Sequence, residues 1–446
     1  MLYLYISLVR GIVLASCYQK RRECLASKLN IVDDIFVIES AQLKHRNGDV
    51  NYSYRQNSNF FYLTGFDENN ALLMLVKVKG RLQTILFCQE KNYDYELWHG
   101  AVIGPKEARL KLNITSAYSI NKFTDVFSEY VNKNTGIHFL GNEQKTLQDR
   151  LVKIIQKKYP HHIPKFYDSS NILNNMRILK DKTEISLLER AADISCHAHK
   201  YAMSYTRPDI LESYIEGKMI AKFMEYGCRQ VAYESIVAGG GNACILHYTK
   251  NNKILNNGDL LLIDAGAEYE NYASDITRTF PINGRFTQEQ ASIYQIVLEA
   301  QREVIAAAKP KVEWSKLQFI SEITIIKGLI RLGILSGNPN NVLRQGQHKR
   351  FYMHGFGHWL GLDVHDVGSY KNNDGSSKLL EPGMVFTVEP GIYISEANRS
   401  VAAKWHNIGI RIEDNILITE KGCKVLTDSL PKDINDLRQI IGSAYA

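Results

Sequence analysis

Cysteine is scarce. Cys17, Cys24, Cys88, Cys196, Cys228, Cys244 and Cys423 are spread over 446 positions with no CxxC pair and no Cys/His finger spacing. That excludes a disulfide scaffold and a zinc finger, and such sporadic thiols fit a reducing compartment, the cytoplasm. With 10 prolines and 30 glycines, the chain has no room for a collagen-like or long disordered section. Long apolar runs are missing as well. The nearest approach, LYLYISLV at 2–9 followed by IVLASC, is cut by Arg10 and Gly11, and its positive charge does not precede the apolar run as in an export signal. Each half is too short to cross roughly 30 Å of hydrocarbon. No stable membrane insertion is expected, and residues 1–16 read as an extension ahead of the fold. Charge of one sign is also weak: 54 basic against 47 acidic residues leave a formal +7 with no Lys/Arg block, so nucleic acid is not an expected partner. No GxGxxG or GxxxxGK[ST] accompanies a suitable strand and helix, which weakens dinucleotide and nucleotide-hydrolysis readings.

What is present is ordinary globular text, 45% hydrophobic, and at roughly 150 residues per domain the length predicts two or three domains. IFVIES, ALLMLVKV and LQTILFCQ alternate with turns and helical-length segments, as does GIHFLG at 136–141 with the amphipathic LQDRLVKIIQKKY, an α/β pattern. The polar interval 168–182 is the expected linker. Beyond it, Ile185, Leu188, Ala191, Ala192 and Cys196 predict a helix over Lys182–Ser204. Thr287 with Gln290 forms a capping box for a helix over 288–308, another helix covers about 314–334, and 351–419 reads as short antiparallel strands. The expected class is mixed α/β (α+β), divided as 17–175 and 176–446.

The chemistry concentrates in the second part. LLLIDAGAEYENYASDITRTF predicts a hairpin with Tyr269 and Glu270 in the turn, which sets Asp264 opposite Asp275 on one face. Two carboxylates about 5 Å apart repel unless one is protonated or a cation lies between them, although a surface hairpin with turn acids fits that segment equally. FYMHGFGHWLGLDVHDVG supplies His354, His358 and His365, and Gly355, Gly357 and Gly361 favour a turn or strand over a helix there. In MVFTVEPGIYI, Glu389 closes a period-two strand, and in IGIRIEDNILI, Arg411 and Glu413 share the face opposite Ile410 and Ile412. Asp264, Asp275, His358, Glu389 and Glu413 form an oxygen-rich set suited to a pair of hard divalent ions. Asp275 and Glu413 are placed to bridge the pair, with Asp264 on one ion and His358 with Glu389 on the other. A hydroxide held between ions roughly 3.5 to 4 Å apart is a competent hydrolytic nucleophile.

ILHYT at 245–249, IDAG through SDITRTF at 263–280, MHGFGHWLGLDVHDVG at 353–368, EPGMVFTVEPG at 381–391 and GIRIED at 409–414 occur in that order. The combination resembles the bacterial Xaa-Pro aminopeptidases, or aminopeptidases P, of peptidase family M24 in the creatinase and methionine-aminopeptidase superfamily. The resemblance implies a creatinase-like N-terminal domain, a pita-bread catalytic domain, the same five metal residues, and two Mn²⁺ per subunit with other divalent ions as substitutes. It also implies a homotetramer, with a homodimer as the alternative, acting on peptides whose second residue is proline. YRQNSNFFYLTGF at 54–66 and ELWHG at 96–100 look more like aminopeptidase P than like prolidase, the near alternative, although His99 stands where phenylalanine is familiar. A metal-free peptide-binding protein is the non-enzyme alternative, and the complete acidic set argues against it. By resemblance, His247 and His365 hydrogen-bond the peptide carbonyl and Glu389 moves the water proton. His354 shapes the proline side, Arg411 braces Asp264 or holds the far end of the substrate, Tyr233 and Tyr393 are pocket candidates, and Trp98 is a candidate cleft residue.

Overall fold

Two units, divided between Met176 and Arg177, make up the chain. The computed structural model describes residues 2–141 and 144–445, and the backbone alone for 2–14. The first unit begins with helix α1 (Leu2–Lys28), whose backbone is continuous through the expected extension; Met1 lies outside the described residues. Among the described residues no helix is long and apolar enough to cross a membrane. The apolar runs become strands β1 (Ile35–Glu39), β4 (Leu72–Val78) and β5 (Arg81–Cys88), with a short ribbon of β2 (His45–Asn47) and β3 (Val50–Asn51). Strands β6 (Ser116–Ser119), β7 (Gly136–Phe139) and β8 (Lys165–Asp168) complete a six-stranded sheet of order β6-β5-β4-β1-β7-β8. Only β4 pairs antiparallel to its neighbours; the remaining pairings are parallel. Helices α2 (Ser58–Thr64), α3 (Tyr93–His99), α4 (Gly104–Lys111), α5 (Phe123–Tyr130) and α6 (Lys145–Lys158) supply the connections. On α6, Leu147, Leu151, Ile154 and Ile155 follow helical spacing and pack with Phe123 and Phe127 against the sheet. The expected linker is instead largely regular: it begins on the last residue of β8 and holds α7 (Ser170–Ile178), on which Leu173 and Met176 recur one turn apart and are buried.

The second unit opens with α8 (Lys182–Ser204), capped by the reciprocal Asp181/Glu184 box, and α9 (Glu212–Glu225). Strands β9 (Ile236–Gly239), β10 (Leu260–Asp264) and β13 (Thr277–Pro281) form an antiparallel sheet around β10, and β11 (Glu268–Tyr269) with β12 (Tyr272–Ala273) forms the hairpin tip. Next come α10 (Gln288–Ala307), opened by the Thr287/Gln290 capping box, α11 (Trp314–Arg331) and α12 (Pro339–Arg344). Strands β14 (Val385–Val388), β15 (Gly391–Ile394), β16 (Ile408–Arg411), β17 (Asp414–Ile418) and β18 (Cys423–Val425) are all antiparallel, and α13 (Ile434–Ile440) follows. Ile194, Met219, Val297 and Ile325 from four helices close over Leu261, Ile263, Phe280, Ile410 and Ile412. Each such fully buried side chain contributes roughly 1.5–3 kcal/mol, which gives the acidic site a stable frame.

The hairpin differs from expectation by one position. Its two-residue turn is Glu270–Asn271, both at positive φ (48° and 68°), so Tyr269 pairs with Tyr272 and Asp264 pairs with Thr277 instead of Asp275. A turn centred on Tyr269–Glu270 would force the tyrosine into the left-handed region, which asparagine tolerates far better. Recentring the turn moves each partner by two residues, so Asp275 stays on the face of Asp264 as its diagonal neighbour.

Candidate functional site

Five backbone segments of the second unit deliver the site. β10 ends on Asp264, and the return strand approaches so closely at Gly266 that a Cβ there would lie 1.7 Å from the Ser274 carbonyl oxygen. Asn415 then clamps the segment carrying Asp275: its Oδ1 accepts from the Asp275 N–H (3.2 Å) and the Ser274 hydroxyl (3.0 Å), and its Nδ2 donates to the Asp275 carbonyl. β14–β17 and β15–β16 share one register interrupted at Glu389–Pro390 and Ile412–Glu413, which sets Glu389 across from Glu413. At the interruption the Glu389 N–H turns to the Phe356 carbonyl (2.7 Å) and the Glu413 N–H to the Thr277 carbonyl (3.0 Å). The segment holding His358 crosses β14 at Gly357, where a Cβ would meet the Thr387 carbonyl oxygen at 1.8 Å. Trp314 packs its ring 4.5 and 4.6 Å from Phe356 and Trp359, which flank that histidine.

Ligand atoms of Asp275, His358 and Glu413 lie within 4.8 Å of one another. His358 Nε2 is 3.3 Å from Asp275 Oδ2 and 3.6 Å from Glu389 Oε1, while Nδ1 donates to the Trp359 carbonyl at 3.0 Å. That contact leaves Nε2 facing the carboxylates, the orientation of a metal-ligating imidazole. The Tyr233 hydroxyl is 2.6 Å from Asp264 Oδ1 and 2.5 Å from Asp275 Oδ1, yet has one proton for two acceptors. Arg411 donates to Asp264 Oδ2 (2.5 Å), Thr277 Oγ1 (3.0 Å) and the Tyr393 hydroxyl (2.9 Å), and Thr277 donates to Glu413 Oε2 (2.8 Å).

This protein without metal cannot hold the cluster fully charged. Burial, and then the charges of Asp275, Glu389 and Asp264, push Glu413 well above the carboxylate range. Burial raises Glu389 to about 7 despite His358 and Arg411, and raises Asp264 despite Arg411. Asp275 is held low against its burial by its bond to His358, and His358 rises to about 9 against burial through Asp275 and Glu389. Burial lowers His354, to about 4, and also His365, with Arg411 and His358 respectively adding to the effect. Asp264, Asp275, Glu389 and Glu413 thus outnumber the positive groups built in with them, His358 and Arg411, an imbalance that divalent cations would offset. The oxygen-rich donors and the single imidazole fit such ions.

A cavity of about 490 Å³ is lined by Asp264, Asp275, His358, Glu389 and Glu413 together with Tyr233, His247, His354, His365 and Arg411. Tyr393 is different. It is buried at 3% exposure and does not line the cavity; its hydroxyl ties Arg411 to His354 Nε2 (2.8 Å), so it braces two lining residues instead of forming the pocket itself. Of the two expectations for Arg411, bracing Asp264 is the contact present. Trp98 belongs to the other unit, on α3, and is 82% exposed. Sequence reasoning missed Thr277 and Asn415. Thr277 carried a signal, since it lies two residues beyond Asp275 on the same strand face; a lone asparagine within NILI carried none.

Residues 186–420 match Metallopeptidase family M24, and residues 18–138 match the Aminopeptidase P N-terminal domain. The chain belongs to the aminopeptidase P group of metallopeptidase family M24. It is 44% identical to a Xaa-Pro aminopeptidase of Haemophilus influenzae, covering 89% of this chain and 91% of the relative. It is 37% identical to the Xaa-Pro aminopeptidase of Escherichia coli over 96% and 98% of the two chains. A solved aminopeptidase of Pseudomonas aeruginosa superposes with a TM-score of 0.93 at 38% identity, covering 97% of this chain and 98% of that one. An Escherichia coli aminopeptidase P solved with the inhibitor Pro-Leu gives 0.91 at 37% identity over 97% and 99%. The mixed α/β architecture is therefore that of the family, with an N-terminal domain and a pita-bread domain.

Proposed function

We propose that the cavity is the active site of a metal-dependent aminopeptidase that removes the first residue from peptides with proline in second position. The observation that carries this is the convergence of the buried Asp264, Asp275 and Glu413, the partly exposed Glu389 and His358 on one cavity in a chain of this family. Asp264, Asp275, His358, Glu389 and Glu413 would hold the divalent cations, two Mn²⁺ per subunit in the cell. Bound there, the cations supply Lewis acidity that makes a water molecule nucleophilic near neutral pH.

The protein groups do the rest. His247 and His365 donate to the peptide carbonyl oxygen as it gains negative charge, stabilising the tetrahedral state. Glu389 takes the water proton as the C–O bond forms and delivers it to the proline nitrogen as the tetrahedral state collapses, so the carbonyl re-forms, the C–N bond breaks and an amine leaves. His354 shapes the proline side of the pocket, Tyr233 orients Asp264 and Asp275, and Arg411 with Tyr393 braces Asp264. The division into 17–175 and 176–446 separates a substrate-shaping part, to which Trp98 belongs, from the catalytic part. The working state is a cytoplasmic homotetramer.

Hydrolysis of matched Xaa-Pro dipeptides and Xaa-Pro-Yaa tripeptides, after EDTA stripping and Mn²⁺ restoration, tests the reading. Metal-dependent release of the first residue from both lengths is expected. Restriction to dipeptides indicates a prolidase, and no metal-dependent cleavage of either substrate refutes catalysis.

A further inference from the structure

His247 stands in an irregular stretch between the 3₁₀ turn Gly240–Cys244 and β10, and its side chain is exposed in the cavity wall. Among the described residues no hydrogen bond holds its imidazole, so its position is inherited from the backbone around it. A segment without a strand or helix ladder needs other partners for its polar groups. Glu212, the first residue of α9, is completely buried and supplies them. Its Oε1 accepts from the Gly239 N–H and from Asn242 Nδ2, both at 2.9 Å. Its Oε2 accepts from the Tyr248 hydroxyl (2.8 Å) and the Lys253 N–H (3.0 Å). The Glu212 N–H in turn donates to the Lys253 carbonyl at 2.9 Å.

One carboxylate therefore gathers the entrance of the segment, its exit, and the residue next to His247. Four donors match the four lone-pair sites of the group. Tyr248 is 6% exposed, so the chain is pinned inward at 248 while the preceding imidazole faces the cavity. We propose that Glu212 is a positioning residue for the reaction, fixing His247 where it meets the peptide carbonyl. This rests on the reading of His247 as the donor to that carbonyl.

Glu212→Gln keeps the size of the side chain but aims an NH₂ at two donors, breaking contacts without opening a hole. The Mn²⁺-loaded wild type, E212Q, H247A and the double variant are compared for kcat and KM on a Xaa-Pro-Yaa tripeptide, with metal content and Lys253 amide exchange measured alongside. E212Q should lower kcat on the order of 10²-fold, the cost of a misplaced catalytic group. It should leave KM and metal content unchanged, speed exchange at Lys253, and lower kcat no further in the H247A background. Wild-type kcat in E212Q, or an equal loss in both backgrounds, overturns the proposal. Should E212Q fail to fold, Tyr248→Phe, which removes only one donor, goes through the same cycle, and the same two results overturn the proposal. Wild-type turnover in H247A alone refutes the role of His247 and the proposal with it, and is read without altering Glu212.

Discussion

Glu413 and Asp414 are consecutive, both buried, and face environments that treat negative charge in opposite ways. Asp414 points to an ionic cluster that the chain completes for itself: Arg278 (2.7 Å), Lys432, Gln301 (3.0 Å) and Thr427 (2.7 Å) all donate to it. Although burial opposes its charge, Arg278 and Lys432 hold its carboxyl below the ordinary range. Glu413 points to a cluster where burial, and then the neighbouring acids, push its carboxyl upward. Strand alternation thus sends one acid into a finished structural joint and the next into a site that takes its cations from outside. A buried charge supports the fold only where its partners are supplied by the same chain.

The largest effect should come from Glu413→Gln. Losing a partner behind a metal ligand already costs 10–100-fold in affinity, so removal of this carboxylate should cost more than about 100-fold. Its raised pKa makes its charge a burden in the metal-free fold at pH 7, so metal-free E413Q should melt no lower than wild type. Calorimetric melting with metal titration checks both. Asp414→Asn should do the reverse, costing about 3–5 kcal/mol in denaturant unfolding by stranding Arg278. Because its folded pKa is depressed, Asp414 contributes stability above the unfolded carboxylate pKa of roughly 3.9, and that contribution is lost as pH falls through the lower folded value. D414N should lack that component of acid sensitivity.

Protons and metal compete for the open cluster alone. With Glu389 at about 7 and His358 at about 9 in the metal-free protein, binding must displace protons below those values. Affinity should climb with pH through 7 and level off above 9, and calorimetry in buffers of different ionisation enthalpy should detect the released protons. The smallest effect belongs to Tyr393→Phe, which cuts the link between Arg411 and His354. A lost hydrogen bond of about 1–2 kcal/mol predicts a kcat/KM lower by about tenfold, with metal content unchanged.

The same contrast explains how much of the molecule is legible in its sequence. Helix α8 can be read from the helical spacing of Ile185, Leu188, Ala191 and Cys196 and α10 from its Thr287 cap, and the strands around Asp264, Asp275, Glu389 and Glu413 can be read because period-two alternation places acids on faces. The hairpin turn is harder to place because two neighbouring pairs of turn residues compete and only the backbone preference of asparagine separates them. Residues 168–182 hide a helix because their few apolar positions are diluted by polar ones. Thr277, Asn415 and Glu212 act through partners distant in sequence, and a single threonine, asparagine or helix-start glutamate has no pattern to read. Tyr393 can be noticed but not placed, since alternation does not reveal which aromatic lies behind an arginine.

The Glu270–Asn271 turn makes the hairpin an odd–even lock. Lengthening it by a single residue would rotate Ser274 or Ile276 toward Asp264 in place of Asp275, whereas a change of two would restore the acid. The site can therefore be disabled at the tip of the hairpin, with every ligand still encoded and the nearest of them several residues from the lesion.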